Sequence, residues 1–313
     1  MKNLTVLVTG STDGIGRSTA LQLAQMDAEV ILHGRSAERG RSVQEDIRRK
    51  TGNNRLQFFL ADLASQRQVK ILATDIRGSY NHLHVLINNA GTYQPERKLT
   101  EDGLETTFAV NFLAPFLLTH ELQSLIKRSV PGRIINVASI AHWNGTMDWS
   151  NLRGERRYEA FDAYATSKLA LILFTYALAQ RLKGTAVTAN CLHPGVIKTK
   201  LLLAGFGDYP GDTPENGART SVYLASSPEV GGISGSYFED CKAVPSSPIS
   251  YDRKIQEKLW NISEKLWTGQ TIEAGMNSLW LVSVKNRSFR GGLHFSEFRH
   301  PMRLHCVTYL AMQ

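Results

Sequence analysis

Short apolar runs alternate with longer segments of helical periodicity along most of the chain. The apolar runs are Leu4–Val8, Val30–Leu32, Leu56–Leu60, Leu83–Ile87, Arg133–Val137 and Ala186–Leu192. Helical periodicity is found in the segments between them, Gly14–Met26, Ala37–Lys50, Ser65–Tyr80, Gly103–Arg128 and Phe161–Lys183. Strands this apolar are typical of a parallel sheet that is covered on both faces. The pattern therefore predicts a doubly wound α/β fold, with ligands at the carboxyl ends of the strands.

The alternation loosens after the sixth apolar run. Residues 201–217 contain four Gly and two Pro, which favours either a loop on the substrate side of the sheet or a plain surface connection. A helix near Pro214–Ser227 and a short strand near Ser236–Glu239 are predicted next. Residues 251–267 predict a helix that docks on the fold, and its apolar face consists of Ile255, Leu259, Ile262, Leu266 and Trp267.

The last part of the chain has a different sequence pattern from the rest. We expect residues 1–268 to form a single domain. Residues 269–313 show no clear periodicity and are rich in Arg, His and Phe. They are predicted to be a C-terminal extension, to which the pattern assigns no structure.

Composition and charge narrow the class of protein. The 313 residues are 42% apolar and 20% charged, as in ordinary globular enzymes. A net charge of +8 would suit nucleic acid or anionic lipid, but the basic residues are scattered and no nucleic-acid-reading motif accompanies them, so no nucleic-acid partner is expected. Three distant cysteines suggest neither a metal site nor a disulfide framework, which favours a reducing, cytoplasmic location. The first apolar run is too short for a signal peptide or a transmembrane anchor, so neither is expected.

The first apolar run leads directly into a glycine-rich turn. Residues 9–16 read Thr-Gly-Ser-Thr-Asp-Gly-Ile-Gly, and a helix follows. We expect Gly10 to allow the sharp turn, Gly14 to let backbone N–H groups approach a pyrophosphate, and Gly16 to let the helix pack closely on the sheet. The positive end of the helix dipole would then face the phosphates. At the first strand–helix junction of an alternating chain, such a turn predicts a dinucleotide site.

The end of the second apolar run indicates which dinucleotide binds. An acidic residue there would bind the free ribose 2′-hydroxyl of NAD, whereas this chain has His33-Gly34-Arg35. Arg35, helped by Arg17 after the glycine turn, would neutralise a 2′-phosphate. NADP(H) is therefore favoured over NAD(H). The alternative is that both arginines are solvated surface groups.

A tyrosine and a lysine one helical turn apart are candidate catalytic groups. Tyr164 and Lys168 have the i, i+4 spacing that places them on one helix face. Because an unperturbed tyrosine titrates near pH ~10, acid–base work at neutral pH needs a stabilised phenolate, which a neighbouring ammonium provides. Taken alone, the spacing is more typical of a packed tyrosine beside a solvated lysine, and only the other motifs of the chain reverse this interpretation.

In order and spacing, the motifs together resemble those of the short-chain dehydrogenase/reductase family over residues 4 to 267. They are Thr9-Gly10-x-x-x-Gly14-Ile15-Gly16, Asp62-Leu63, Asn88-Asn89-Ala90-Gly91, Asn111, Ser139, Tyr164-x-x-x-Lys168 and Pro194-Gly195 followed by Thr199. The match is nearest to the retinol dehydrogenase-like group in residues 133–142, 167–170, 193–196 and 240–242. The resemblance implies a Rossmann fold and a nicotinamide dinucleotide cofactor.

The resemblance also implies catalytic roles. Tyr164 would exchange a proton with the substrate oxygen, and Lys168 would lower the pKa of Tyr164 and hold the nicotinamide ribose. Ser139 would hydrogen-bond the developing alkoxide. Asn111 would relay water to Lys168, or else would only bond backbone within its own helix. His142 lies near enough to Ser139 in sequence to suggest a nucleophilic pair, but an ordinary loop residue is the better reading.

Cofactor contacts follow from the same resemblance. Asp62 would contact the adenine amine, or else would cap the next helix, and Asn88 is expected to be mainly structural. The predicted cofactor-binding residues are Gly10, Ser11, Asp13, Gly14, Ile15, Gly16, Arg17, Arg35, Asp62, Leu63, Asn89, Ala90, Gly91, Tyr164, Lys168, Pro194, Gly195, Val196 and Thr199.

These observations support two hypotheses. The first is an NADP(H)-dependent oxidoreductase that interconverts a carbonyl and an alcohol on a small apolar, retinoid-, steroid- or lipid-like substrate. The second is a cofactor-binding scaffold or regulatory protein that uses its C-terminal extension for partners. An oligomer is compatible with both. The candidate residues for an apolar pocket are Trp143, Leu201, Leu202, Leu203, Phe206 and Tyr209.

Overall fold

The computed structural model describes residues 1–268, in which eight strands form one sheet. The strands are β1 Thr5–Val8, β2 Glu29–Gly34, β3 Leu56–Leu60, β4 Val85–Asn88, β5 Gly132–Val137, β6 Val187–His193, β7 Tyr237–Glu239 and β8 Lys242–Val244. Their order is β3-β2-β1-β4-β5-β6-β7-β8, and every pairing is parallel except that of β7 with β8. The chain therefore runs outward from β1 in both directions, which places the topological switch point between β1 and β4. The predicted doubly wound α/β fold is confirmed.

Helices cover both faces of this sheet. They are α1 Gly14–Gln25, α2 Ala37–Thr51, α3 Gln66–Ser79, α4 Thr106–Phe108, α5 Ala114–Arg128, α6 Ala160–Arg181, α7 Lys200–Phe206, α8 Pro214–Ser226 and α9 Arg253–Thr268. Successive residues of β1 point to opposite faces, so that Leu7 packs with α3, α5 and α6 while Val6 and Val8 pack with α1, α2 and α8. All four residues of β1 are buried, which explains why three of the four, Val6, Leu7 and Val8, are apolar.

Three local features differ from the sequence pattern. Residues 201–217, predicted as a loop, contain α7, which the Gly and Pro content obscured. The helix predicted from Gly103 begins at Thr106, because Gly103 has a φ of +71°, and a π-helical segment, Ala109–Leu113, connects α4 to α5. The short strand β8 was not predicted. It follows a turn in which Asp240 and Cys241 have φ of +42° and +62°.

The predicted docking helix is α9, which packs on α5 and α6. Its main anchor is Trp260, which is 7% exposed and was not on the predicted apolar face. The Trp260 ring contacts Phe116 at 5.1 Å and Phe174 at 5.9 Å between centroids, and the guanidinium of Arg181 lies 3.9 Å from its centre. The extension predicted at residues 269–313 lies outside the described residues. Within residues 1–268, none of the helices combines the length and the apolar character that crossing a lipid bilayer requires.

Candidate active site

A cavity of about 880 Å³ opens at the carboxyl ends of the strands. Its walls come from the turn after β1, the ends of β2 to β6, the start of α6, and α7. Ligands of doubly wound sheets bind at this edge, because the loops on either side of the switch point diverge there. The sequence motifs from six separate segments are therefore brought into one space.

The glycine-rich turn forms one end of the cavity. Gly10 has a φ of +65°, and a Cβ there would lie 2.9 Å from the Cα of Ala90. A Cβ on Gly16 would overlap the carbonyl oxygen of Gly10 and the side-chain amide of Asn89. Asp13 caps α1 by accepting a hydrogen bond from the N–H of Gly14 at 2.9 Å. The absence of side chains thus lets the start of α1 lie against the ends of β1 and β4 and open onto the cavity.

Ser11 is turned away from this opening. Its N–H and its hydroxyl both donate to the carbonyl of His33, and its Oγ accepts from the N–H of His33 at 2.8 Å. The predicted contact between Ser11 and a cofactor therefore has no support in the geometry, because both of its polar hydrogens fasten the turn to β2.

Two arginines face the cavity beyond β2, but they are not the predicted pair. Arg35 and Arg39 line the wall together with Ser36, which caps α2 by accepting from the N–H of Arg39. Arg17 lies outside the lining and forms an ion pair with Asp46 at 2.6 Å, which holds the pKa of Asp46 well below its usual range. Arg39 could have been found from the sequence, because Ser36 is a typical N-cap residue and Arg39, three positions later, then lies in the first turn of the helix.

The ends of β3 and β4 form the next stretch of wall. Asp62 and Leu63 line it, and the Asp62 carboxylate accepts from the N–H of Ala64 at 3.0 Å. Ser65 caps α3, so the alternative reading of Asp62 as the helix cap is wrong.

Beyond β4, Asn89, Ala90 and Gly91 all line the cavity. The Asn89 amide donates to the carbonyl of Thr9 at 2.8 Å and so ties β4 to the glycine turn. Asn88 instead points into the core and donates to the Asn136 amide oxygen at 2.8 Å, as expected of a structural residue.

Tyr164 and Lys168 project from α6 into the centre of the cavity. Both are buried, and the Lys168 ammonium lies 5.7 Å from the centre of the Tyr164 ring. It donates to the carbonyl of Val137 at 2.9 Å. Ser139, just past β5, accepts at Oγ from the N–H of Ala141 and lies next to the Tyr164 phenol. Two hydroxyls and an ammonium therefore converge at one point of the wall.

Burial controls the pKa values of this group. It raises the pKa of Tyr164 to about 12, against which the hydrogen bond from Ser139 acts. It lowers the pKa of Lys168 to about 8, since the charged form loses its hydration. The side chains alone thus keep the phenol protonated at neutral pH, contrary to the expectation that Lys168 by itself makes it acidic.

Asn111 lies in the π-helical segment behind this group and does not line the cavity. Its side-chain oxygen accepts from the N–H of Thr92 at 2.7 Å, and its amide donates to the Thr92 carbonyl and to the Ser167 hydroxyl, each at 3.0 Å. The alternative that it bonds only within its own helix is wrong, because these bonds join the chain after β4 to α6. The relay from Asn111 to Lys168 stays a prediction.

His142 is excluded as a base for Ser139. Its Nε2 accepts from the N–H of Ser247 at 3.0 Å, so its Nδ1 carries the proton and donates to the Ser139 carbonyl at 2.8 Å. Burial lowers the pKa of His142 to about 4. Both ring nitrogens are engaged away from the serine hydroxyl, which leaves Ser139 as a hydrogen-bonding group.

The segment after β6 closes the cavity from the other side. Pro194, Gly195, Val196 and Thr199 line it, and Gly195 has a φ of +90°. Thr199 caps α7, and its methyl group would lie 3.3 Å from a Cβ at Gly14. The start of α7 therefore meets the start of α1.

The remaining wall is apolar and aromatic. Trp143 and Leu203 are 45% and 62% exposed and lie outside the lining, so these two pocket candidates are wrong. Tyr93 and Phe161 also line the cavity but were not predicted from the sequence, because nothing in their local pattern distinguishes them from packed core residues. Of the pocket candidates, the cavity is lined by Leu201, Leu202, Phe206 and Tyr209. In the part of the chain that the structure describes, no group of three or more His, Cys, Asp or Glu side chains could hold a metal ion.

Comparisons with known proteins agree with this geometry. A family model described as short chain dehydrogenase matches residues 4–204. Retinol dehydrogenase 14 of Homo sapiens is 40% identical over 291 residues, covering 84% of this chain and 86% of that protein. Retinol dehydrogenase 12 of Bos taurus is 38% identical over 270 residues, covering 83% and 85%.

Solved structures show the same relationship. The crystal structure of an uncharacterised protein from Mycobacterium paratuberculosis has a TM-score of 0.72 and 30% identity, covering 85% of this chain and 94% of that one. A short chain dehydrogenase from Escherichia coli CFT073, solved with NADPH, has a TM-score of 0.63 and 27% identity, covering 76% and 96%. The chain is therefore an oxidoreductase of the short-chain dehydrogenase family, in its retinol dehydrogenase-like group, acting on CH–OH groups of small molecules.

Proposed function

We propose that this protein is an NADP(H)-dependent oxidoreductase that interconverts a carbonyl and an alcohol on a small apolar substrate, with Tyr164 as the acid–base group. The observation that carries the proposal is the convergence of the Ser139 and Tyr164 hydroxyls above the buried Lys168 ammonium, where the cavity becomes aromatic. A substrate oxygen placed there would meet two hydroxyl donors, while its apolar part would lie among Phe161, Leu201 and their neighbours.

The proton step follows from these side chains. Because the Oγ of Ser139 accepts from a backbone N–H, its own hydrogen is free to donate to a substrate oxygen. A pKa of about 12 keeps the proton on Tyr164 at neutral pH, which is the state that carbonyl reduction needs. As this proton leaves for the substrate oxygen, the adjacent ammonium of Lys168 stabilises the phenolate.

The opposite end of the cavity fits a nicotinamide dinucleotide. Gly10, Gly14 and Gly16 provide the phosphate end, and Asp62 and Leu63 the adenosine end. When bound, the nicotinamide supplies or accepts the hydride, and its oxidised form adds positive charge that lowers the pKa of Tyr164.

Preference for NADP(H) is supported by Arg35 and Arg39. Both side chains line the wall where β2 ends, and guanidinium groups pair with phosphate through forked hydrogen bonds. We expect NADPH to bind at least about tenfold more tightly than NADH, or about 1.4 kcal/mol. Titration of intrinsic fluorescence should show Arg35→Ala and Arg39→Ala each removing most of this preference, while Arg17→Ala, whose partner is Asp46, leaves it unchanged. Equal affinities of the native chain for both dinucleotides would refute the preference.

Tyr164→Phe tests the chemistry. It should abolish NADPH oxidation with retinal, steroid ketones or lipid aldehydes while leaving the Kd for NADPH within about twofold. Retained turnover would reject the mechanism. A native chain that binds NADPH but reduces none of the three classes would favour the cofactor-binding scaffold instead.

Further expectations belong to the same proposal. Residues 1–268 would form the catalytic domain, and residues 269–313 would be an extension of it. A cytoplasmic location and the possibility of an oligomer stay predictions.

A further inference from the structure

Tyr93 lies between the catalytic tyrosine and α7. Its ring centre is 5.7 Å from that of Tyr164 and 6.1 Å from that of Phe206, and the ring lines the cavity. Phe206 in turn meets Phe161 edge-on at 6.0 Å. The Tyr93 ring therefore lies next to Tyr164 in the aromatic part of the cavity wall.

The backbone is fixed on both sides of Tyr93. The Asn111 side chain bonds both the N–H and the carbonyl of Thr92, as a neighbouring strand would. On the other side, the Tyr158 hydroxyl donates to the carbonyl of Gln94 at 2.8 Å. These anchors fix the backbone that carries the Tyr93 ring, and the ring itself is positioned by the side chains against which it packs.

A glycine on α7 lets this ring approach. A Cβ at Gly205 would lie 3.1, 3.2 and 3.3 Å from three atoms of the Tyr93 ring, closer than an ordinary contact of about 3.5–4 Å. A methyl group at this position would push the Tyr93 ring away from α7 and towards Tyr164. The Tyr93–Gly205 contact therefore sets how far the ring stands from the catalytic tyrosine.

The other attachments of α7 are at its base. Residues 198–211, which we term the flap, are held where the N–H of Lys198 donates to the carbonyl of Asp212, and the N–H of Asp212 to the carbonyl of Val196, each at 2.8 Å. None of the α7 residues is fully buried. The position of the flap thus depends on the few side chains beneath it, among them Tyr93.

We propose that the Tyr93–Gly205 contact determines substrate selectivity by setting the width of the opening to Tyr164, so that unbranched carbonyls enter and carbonyls with a bulky α-carbon are excluded. This inference rests on the proposed function, since it assumes that the substrate oxygen binds at Ser139 and Tyr164. Tyr93 acts through shape, because its ring fills the space next to the reacting atom.

Two substitutions should act in opposite directions. Tyr93→Ala removes the ring and should raise the ratio of kcat/KM for cyclohexanecarbaldehyde over octanal by about tenfold or more, the usual effect of relieving one misfit in a pocket. Gly205→Ala pushes the Tyr93 ring away from α7 and towards Tyr164, which narrows the opening, and it should lower the ratio by about threefold or more. Tyr93→Phe keeps the ring and should keep the ratio.

Gly78→Ala is the matched control for the glycine substitution. Gly78 lies in α3, and a Cβ there has no atom within 4 Å. Alanine is the better helix former by about 1 kcal/mol, so neither glycine variant should lose helix stability. The ratio should stay unchanged in Gly78→Ala, and the Kd for NADPH should stay within about twofold in all four variants.

The outcomes separate this inference from the proposed function. Unchanged ratios in both Tyr93→Ala and Gly205→Ala would overturn it. If the native chain reduces neither aldehyde, the proposed function fails for this class, and binding of the neutral fluorophore 1-aminoanthracene to the NADPH complex decides the inference. Tighter binding in Tyr93→Ala with weaker binding in Gly205→Ala would support it, and equal affinities would overturn it.

Discussion

Replacing Lys168 with methionine should make the protein more stable at neutral pH although it removes a proposed catalytic group. Lys168 is 3% exposed, and burial lowers its pKa from 10.5 to about 8. At about 1.36 kcal/mol per pKa unit, holding the ammonium inside the fold costs about 3 kcal/mol. Methionine has a similar length and no charge. It loses only the hydrogen bond to Val137, worth about 1 kcal/mol.

The net gain of Lys168→Met should therefore be about 2 kcal/mol at pH 7, or about 4 °C in Tm for a chain of this size. The sign depends on pH. Between pH 8 and 10.5 the unfolded chain binds more protons at Lys168 than the folded chain does, so native stability rises with pH through this window. Below pH 8 the full cost of the buried charge is present. The difference in the free energy of unfolding between Lys168→Met and the native chain should disappear by about pH 10.

Urea unfolding followed by tryptophan fluorescence at pH 7, 8, 9 and 10 measures this difference. Lys183→Met is the control, because Lys183 is exposed just beyond the end of α6 and its replacement should give no pH-dependent gain. If Lys168→Met is less stable than the native chain at pH 7, or more stable by the same amount at every pH, burial of the charge is not what destabilises the fold.

Three further predictions concern pH and packing. The rate of carbonyl reduction should be constant below about pH 8 and should fall above it, because Lys168 then loses the proton whose charge would stabilise the phenolate. A rate that rises between pH 8 and 9.5 would contradict this. Burial lowers the pKa values of His33 and His142 to about 4 and that of His193 to about 3, so that the unfolded chain takes up protons at these histidines before the folded chain does. The free energy of unfolding should therefore fall below pH 6.5 by up to about 1.4 kcal/mol per pH unit for each histidine. A free energy from urea unfolding that stays constant from pH 6.5 to 4.5 would contradict this. Trp260→Ala should cost about 3–5 kcal/mol in the free energy of unfolding, against less than about 1 kcal/mol for the exposed Trp143→Ala, and a similar cost for both would show that α9 is not held by this ring.

Strands and glycine turns could be predicted from the sequence because their determinants are local. β1 was placed within one residue, since a strand buried on both faces must be apolar throughout. Gly10, Gly14 and Gly16 each meet a backbone requirement that a short motif states directly. The order of Asn111, Ser139, Tyr164 and Lys168 was likewise sufficient to indicate the family.

The directions in which side chains point, and the contacts between residues distant in the sequence, could not be predicted. Arg17 and Arg39 are equally basic in the sequence, and only the rotation of their helices decides that Arg17 meets Asp46 while Arg39 faces the cavity. The high pKa of Tyr164 results from burial by segments distant in the chain. The backbone before Tyr93 is positioned by Asn111, eighteen positions away. The hydrogen bonds of Asn111 to Thr92 could not be predicted from any local sequence pattern.

The two edges of the sheet differ in how readily they could accept another strand. β8 is three residues long, exposes Lys242, and turns sharply at Asp240 and Cys241, so it presents few free backbone groups. β3 is longer, and within residues 1–268 the Gln44 side chain donates to the carbonyl of Leu56, at the start of the strand. Self-association of partly unfolded chains should therefore begin along β3, which makes that edge the place where an added charge would improve resistance to aggregation.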